Sequence, residues 1–175
     1  ALMRPLDAGA CGVICPMIGS AGECEAFVAA CRYPPRGMRS FGPTRSLLSI
    51  GPGYMAQEDT QALTFAQIET AEGLANVEAI AGVPGLSGLY VGPWDLSLDL
   101  GRPVPGDLGD PELLQACRAV VDAARRHGLV AGIYTGSAEE GRRMADLGFR
   151  LVNIATDTSL LQRSAAEEVR KAKGL

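Results

Sequence analysis

Residues 64–95 read TFAQIETAEGLANVEAIAGVPGLSGLYVGPWD. An uncharged run closes on Glu69, an amphipathic segment follows, and a second short run at 88–92 leads through Pro93 and Trp94 to Asp95. Strand, helical return and strand make one βαβ unit. Both runs lack a clean period of two, as expected for parallel strands covered on both faces. Outward from this stretch, comparable runs lie at 12–18, 130–134 and 151–155, separated by amphipathic segments. The alternation predicts an α/β protein with a parallel sheet.

The helices carry their own punctuation. Ser20 with Glu23 and Ser137 with Glu140 have capping-box spacing, and Asp110-Pro111-Glu112 supplies an N-cap, a preset first-turn residue and an acid suited to the helix dipole. His127-Gly128 closes that helix, with Gly128 in the left-handed region. Leu113, Leu114, Cys117, Val120, Val121 and Ala124 should face the sheet. A last helix is predicted over 158–173, with Leu160, Leu161, Ala165 and Val169 on its apolar side. Residues 32–63 and 98–109 are longer than ordinary connections and read as functional or interface-forming excursions. No linker divides the chain, so 1–175 is read as one domain.

With 47% hydrophobic and 21% charged residues, the chain is neither disordered nor fibrous. Its net charge of −4 offers no general attraction to nucleic acid or an anionic membrane, and no apolar run reaches the length of a membrane span. A cytoplasmic protein acting on small molecules is expected. Cys11, Cys15, Cys24, Cys31 and Cys117 form no CxxC pair and are expected to be buried, reduced thiols.

In a barrel of parallel strands, chemistry sits in the loops after the strands. Those positions give Pro16-Met17, Gln67 to Thr70, Gly92 to Asp95, Thr135-Gly136 and Thr156-Asp157. Glu69 and Asp95 end successive strands, which lie about 4.8 Å apart when paired, so both carboxylates can address one ion. Two hard carboxylates with open positions suit Mg²⁺, Mn²⁺ or Co²⁺. The competing reading has Glu69 capping the next helix and Asp95 capping a turn. Gly82, Gly85 and Gly88 precede a strand, the wrong place for a nucleotide-binding loop. Arg32, Arg36, Arg39 and Arg45 read either as a clamp for a distal carboxylate or subunit contact, or as a solvated basic loop.

The strings LDAGACGVICPMI, RYPPRGMRS, QIET and GPWDLS occur in this order with β-α spacing. Together they resemble the HpcH/HpaI family of metal-dependent 2-oxo-acid aldolases over about residues 6–161. The resemblance implies a (β/α)₈ TIM-barrel fold, of which this chain would supply about five C-terminal βα units. It implies Glu69 and Asp95 as metal ligands, with Gln67, Gly92, Pro93, the Trp94 backbone and Asp95 at the bound oxo acid. Asp7 matches an aspartate that supports a catalytic histidine.

The resemblance also marks departures. The family's acid-His string and its arginine are absent, and His127 belongs to a helix end. Trp94 is bulkier than the residue common at its place. The implied activity is divalent-metal-dependent cleavage of a 4-hydroxy-2-oxo acid to pyruvate, or an analogue, and an aldehyde. Two alternatives stay open: an oxaloacetate-decarboxylating enzyme of the same chemistry, and a non-catalytic assembly subunit. A barrel of this type takes about 250 residues. The expectation is therefore the C-terminal portion of an aldolase, lacking an N-terminal segment, inactive alone and assembling as a homo-oligomer with the last helix exchanged.

Overall fold

The computed structural model describes residues 3–51, 53–54 and 62–174. Its elements in chain order are α1 (Met3–Asp7), β1 (Gly12–Cys15), α2 (Ala21–Ala30), α3 (Thr44–Ile50), β2 (Leu63–Ile68), α4 (Ala71–Ala75), α5 (Val77–Ala81), β3 (Gly88–Val91), α6 (Pro93–Asp99), α7 (Pro111–Arg126), β4 (Val130–Tyr134), α8 (Ala138–Leu147), β5 (Leu151–Asn153) and α9 (Asp157–Ala172). The five strands form one parallel sheet in sequence order, β1-β2-β3-β4-β5, which curls as half of a (β/α)₈ barrel. Sequential order follows from the βα connections, each returning the chain to the start of the neighbouring strand.

Register sorts the two faces. Ala66 pairs with Leu89 and Leu89 with Ala131, while Ile68, Val91, Ile133 and Val152 form the next row. The first six of these side chains are buried and share a core with Cys24, Phe27, Ile80, Leu113, Cys117 and Val120 of the surrounding helices. Because successive side chains alternate, the opposite face carries Phe65, Gln67, Tyr90 and Tyr134. There the Tyr90 hydroxyl donates to Asn153 Oδ1 at 2.9 Å, linking β3 to β5.

The first strand is shorter than the predicted 12–18. Pro16 has no N–H for the ladder and Met17 has φ of 58°, so the extended run stops at Cys15. Ile18 regains one rung by donating to Gln67 O at 3.3 Å. The caps form as expected at Ser20, whose hydroxyl accepts from Glu23 N, and at Asp110, which accepts from Glu112 and Leu113. At Ser137 the box is displaced: Glu140 accepts from Gly136 N rather than from the capping residue.

Three expectations need correction. Cys24, Cys31 and Cys117 are buried, but Cys11 is exposed and Cys15 is only partly covered, because β1 is an edge strand. Burial pushes the Cys24 and Cys117 thiols up to about 12. The basic loop is not simply solvated, since Arg32 and Arg39 are buried. Arg39 ion-pairs with Asp7 at 2.8 Å, donates to the Tyr54 hydroxyl at 2.9 Å and lies 4.6 Å from the centre of the Tyr33 ring. The apolar face expected on the last helix exists, but no residue of α9 is buried. Among the described residues no helix is long and apolar enough to cross a membrane.

Candidate active site

Glu69 follows the last residue of β2 and is only 3% exposed. It does not cap the next helix: Thr70 does so, accepting from Gly73 N at 3.0 Å. Glu69 instead reaches across to the end of β1, where its Oε1 accepts from Met17 N–H at 2.7 Å. Its Oε2 accepts from Gln67 Nε2, two residues earlier on the same face of β2. Met17 bends into the left-handed region, which bulky side chains avoid, and this turns its N–H toward the carboxylate.

Desolvation raises the Glu69 pKa above the usual carboxylate range, against the lowering by Met17 and Gln67, and Asp95 raises it further through charge and hydrogen bonding. Asp95 is therefore beside Glu69, as the strand-end reading required. It stands in the first turn of α6, where Gly92 is the N-cap and Pro93 the first helical residue, and its own side chain caps nothing in that helix. Asp95 is exposed and Glu69 buried, so the pair has one solvent-facing and one enclosed carboxylate.

Gly92 shapes the contact. A Cβ there would lie 2.5 Å from Glu69 Oε2 and 2.6 Å from Gln67 Nε2, so these two side chains cross directly over its α-carbon. Trp94 turns away from this crossing and is 57% exposed, with its indole ring against Gly106, where a Cβ would meet it at 2.8 Å. Ser97 fixes that neighbouring loop by accepting from Gly106 N at 2.7 Å. Between them, Pro93, Trp94, Tyr134, Thr135 and Glu140 border a small cavity of about 120 Å³.

Gln67, Glu69, Gly92, Pro93 and Asp95 thus come together, with Trp94 at the rim. Asp7 does not join them. It ends the helix before β1, at the end of the sheet where strands begin, and is held there by Arg39. His127 also lies at that end, as the C-cap of α7 with its Nε2 3.2 Å from Glu78. The sequence places Met17 among the strand-end positions but gives it no role, whereas the structure sets its N–H on Glu69. Its contribution is a backbone N–H and a dihedral angle, and the only trace in sequence is its place after a strand-ending proline.

Two facing carboxylates, one deprived of water, repel each other unless a proton or cation lies between them. The oxygen donors fit a hard divalent ion that keeps positions for water or substrate. Among the described residues no cluster of three or more His, Cys, Asp and Glu side chains is poised for a metal.

The chain is similar to known proteins over nearly its whole length. A model of the family described as HpcH/HpaI aldolase/citrate lyase matches residues 2–164. The chain is 39% identical over 174 residues to a protein of Rhizorhabdus wittichii named hydroxypyruvate/pyruvate aldolase, covering 99% of this chain and 69% of that one. It is 35% identical over 163 residues to the 4-hydroxy-2-oxo-heptane-1,7-dioate aldolase of Salmonella heidelberg, covering 91% of this chain and 61% of the relative. The crystal structure of an HpcH/HpaI aldolase/citrate lyase family protein from Burkholderia cenocepacia superimposes with a TM-score of 0.89 at 29% identity, covering 98% of this chain and 68% of the other. The chain thus spans roughly two thirds of the length of the proteins it matches.

Proposed function

Since the chain belongs to the HpcH/HpaI aldolase/citrate lyase family, we propose that it carries the metal-holding part of a class II aldolase. The reaction is cleavage of a 4-hydroxy-2-oxo acid into pyruvate, or a close analogue, and an aldehyde. The observation that carries this reading is the buried Glu69 carboxylate, clamped by Met17 N–H and Gln67 with Asp95 beside it. A lone pair of carboxylates with a structural task would be answered by a cation from the chain, and the contacts that hold Glu69 come from neutral donors.

Glu69 and Asp95 would hold a divalent ion, Mg²⁺, Mn²⁺ or Co²⁺. When bound, it would supply Lewis-acid stabilisation of the negative charge that develops on a 2-oxo acid during carbon-carbon cleavage. The residues themselves do the positioning. Met17 N–H and Gln67 Nε2 each occupy one oxygen of Glu69, which fixes the carboxylate plane. Gly92 leaves the space for that crossing, and the first turn of α6 presents backbone N–H groups beyond Pro93 toward a substrate carboxylate. Gln67 is placed to exchange its hydrogen bond with Glu69 for one to the bound acid. Asp7 is assigned to orientation of an acid-base group only through the family resemblance, and its partner here is Arg39.

The test is pyruvate release from a 4-hydroxy-2-oxo acid, with oxaloacetate as a parallel substrate, at graded Mn²⁺ or Mg²⁺. It is read on the full protein and on its Glu69→Gln and Asp95→Asn variants. Both substitutions should lower kcat/KM at least about a hundredfold, in the range for removal of a group that stabilises developing charge. Full divalent-ion-dependent activity in both variants would remove the metal assignment.

A further inference from the structure

Ile68, Val91 and Ile133 stand side by side on β2, β3 and β4, so the residues after them, Glu69, Gly92 and Tyr134, form the next row. Gly92 N donates to Ile68 O at 3.3 Å, which carries the ladder into that row. Gly92 contributes no side chain. Tyr134 is therefore the next side chain to Glu69 along the inner face of the sheet.

Tyr134 is also a wall of the cavity of about 120 Å³, which lies between Pro93, Trp94 and Gly106 of one βα connection and Tyr134, Gly136 and Glu140 of the next. The cavity thus adjoins the turn that carries Asp95. It is well below the ~300–1,000 Å³ of a site that encloses a whole small molecule, so it suits one end of a substrate whose other end is held elsewhere. Its Trp94 side is fixed, because the indole rests on Gly106 and Ser97 Oγ accepts from Gly106 N at 2.7 Å. The other side carries a carboxylate. Glu140 Oε2 accepts from Gly136 N at 2.9 Å, and Glu140 forms no ion pair among the described residues. Arg32 and Arg39, the buried arginines of the basic loop, are engaged at the far end of the sheet by Gly85 O and Asp7.

A 4-hydroxy-2-oxo acid held at Glu69 and Asp95 by its first two carbons directs C4 and its substituent away from that pair. Cleavage breaks the C3–C4 bond. The electron pair stays on C3, which takes up a proton to give pyruvate, while the C4 hydroxyl loses its proton and leaves as the aldehyde. We propose that the cavity beside Trp94 and Tyr134 receives this aldehyde end, and that Glu140 restricts it to a small uncharged group. The preferred substrates are then 4-hydroxy-2-oxo monocarboxylates, and a second, distal carboxylate is refused because it meets the unpaired charge of Glu140. The inference rests on the aldolase reading given above.

The test is kcat/KM of the full protein at saturating Mn²⁺ with 4-hydroxy-2-oxopentanoate, 4-hydroxy-2-oxoheptanoate and 4-hydroxy-2-oxoheptanedioate. The pentanoate should be cleaved best, and the dioate at least about tenfold less efficiently than the heptanoate of equal chain length, or ~1.4 kcal/mol. Glu140→Gln keeps an oxygen for Gly136 N–H and removes the charge. It should raise the dioate value about tenfold and leave the pentanoate value within about twofold, which also shows that the variant is folded. Calorimetric titration with Mn²⁺ should give the same affinity for both proteins. Cleavage of none of the three acids removes the aldolase reading and this proposal with it. A dioate cleaved as well as the heptanoate, a dioate value unmoved by Glu140→Gln, or a changed Mn²⁺ affinity in that variant overturns the proposal alone, and a heptanoate cleaved as well as the pentanoate overturns the limit on size.

Discussion

Gly92 is needed for space rather than for backbone freedom: its φ of −96° is open to any residue. The atoms a Cβ would strike first, Glu69 Oε2 and Gln67 Nε2, are ends of flexible side chains. Gly92→Ala should therefore leave the fold nearly as stable as before, within about 1–2 kcal/mol by chemical denaturation. The same change swings both side chains off their crossing and should weaken Mn²⁺ binding at least about tenfold. An alanine variant that binds Mn²⁺ like the parent would show that the crossing is not the binding geometry. At this scale the site was largely legible. Glu69, Asp95 and Gln67 stand out because acids and amides at the ends of uncharged strands have no structural task to absorb them. Met17 was not legible, since a positive φ in a methionine leaves no mark in its identity. Arg39 was misread for a different reason. An arginine in a basic loop normally faces water, and its burial depends on Asp7 and Tyr54, 32 and 15 residues away in the chain.

Among the elements, α7 is the most thoroughly specified by sequence, and the structure reproduces its cap, first-turn proline and terminal glycine. Asp110 does two jobs there. One oxygen accepts from Glu112 and Leu113 N–H, while the other accepts from Arg102 Nε and Nη2. Arg102, then the backbone donors, hold its carboxyl below the usual carboxylate range. A carboxylate whose folded pKa is depressed contributes stability that is complete above the unfolded pKa, about 3.9. That contribution is lost as pH falls through the lower, folded value. Asp110→Asn keeps a capping oxygen but loses the ion pair. Its melting temperature should fall below that of the parent at pH 7, and the gap should close as pH is lowered through the acid range. A gap that stays constant with pH would show that the ionised carboxylate contributes nothing. Strand ends were less legible than helix ends. Helix boundaries are set by side-chain caps visible as residue types, whereas β1 ends where Pro16 and Met17 leave the ladder, and the uncharged sequence runs on to Ile18 without a break.

On the scale of the whole molecule, the helices and sheet differ in how fully they are covered. β3 is buried along its whole length, flanked by β2 and β4, while the outer strands β1 and β5 are at most partly covered. Least covered is α9, a 16-residue helix capped by Thr156 and Ser159 that buries none of its own residues. Leu160, Leu161 and Val169 are 52%, 71% and 52% exposed, and Leu161, Ala165 and Val169, four residues apart, present one apolar stripe to solvent with Leu160 beside its start. Helices of this kind draw their stability from packing that face rather than from propensity, and an isolated surface helix of this length is marginal in water. The expected outcome is self-association in which α9 lies against another copy of the chain. Sedimentation velocity over a range of protein concentrations should show mass rising above that of one chain. In the double variant Leu160→Glu, Leu161→Glu the distribution should move toward the monomer. Because neither side chain is buried within its own chain, the sheet and remaining helices should keep their melting transition, which separates lost association from lost folding. A parent protein that sediments as one chain at every concentration, or a double variant with an unchanged mass distribution, would exclude α9 as the contact.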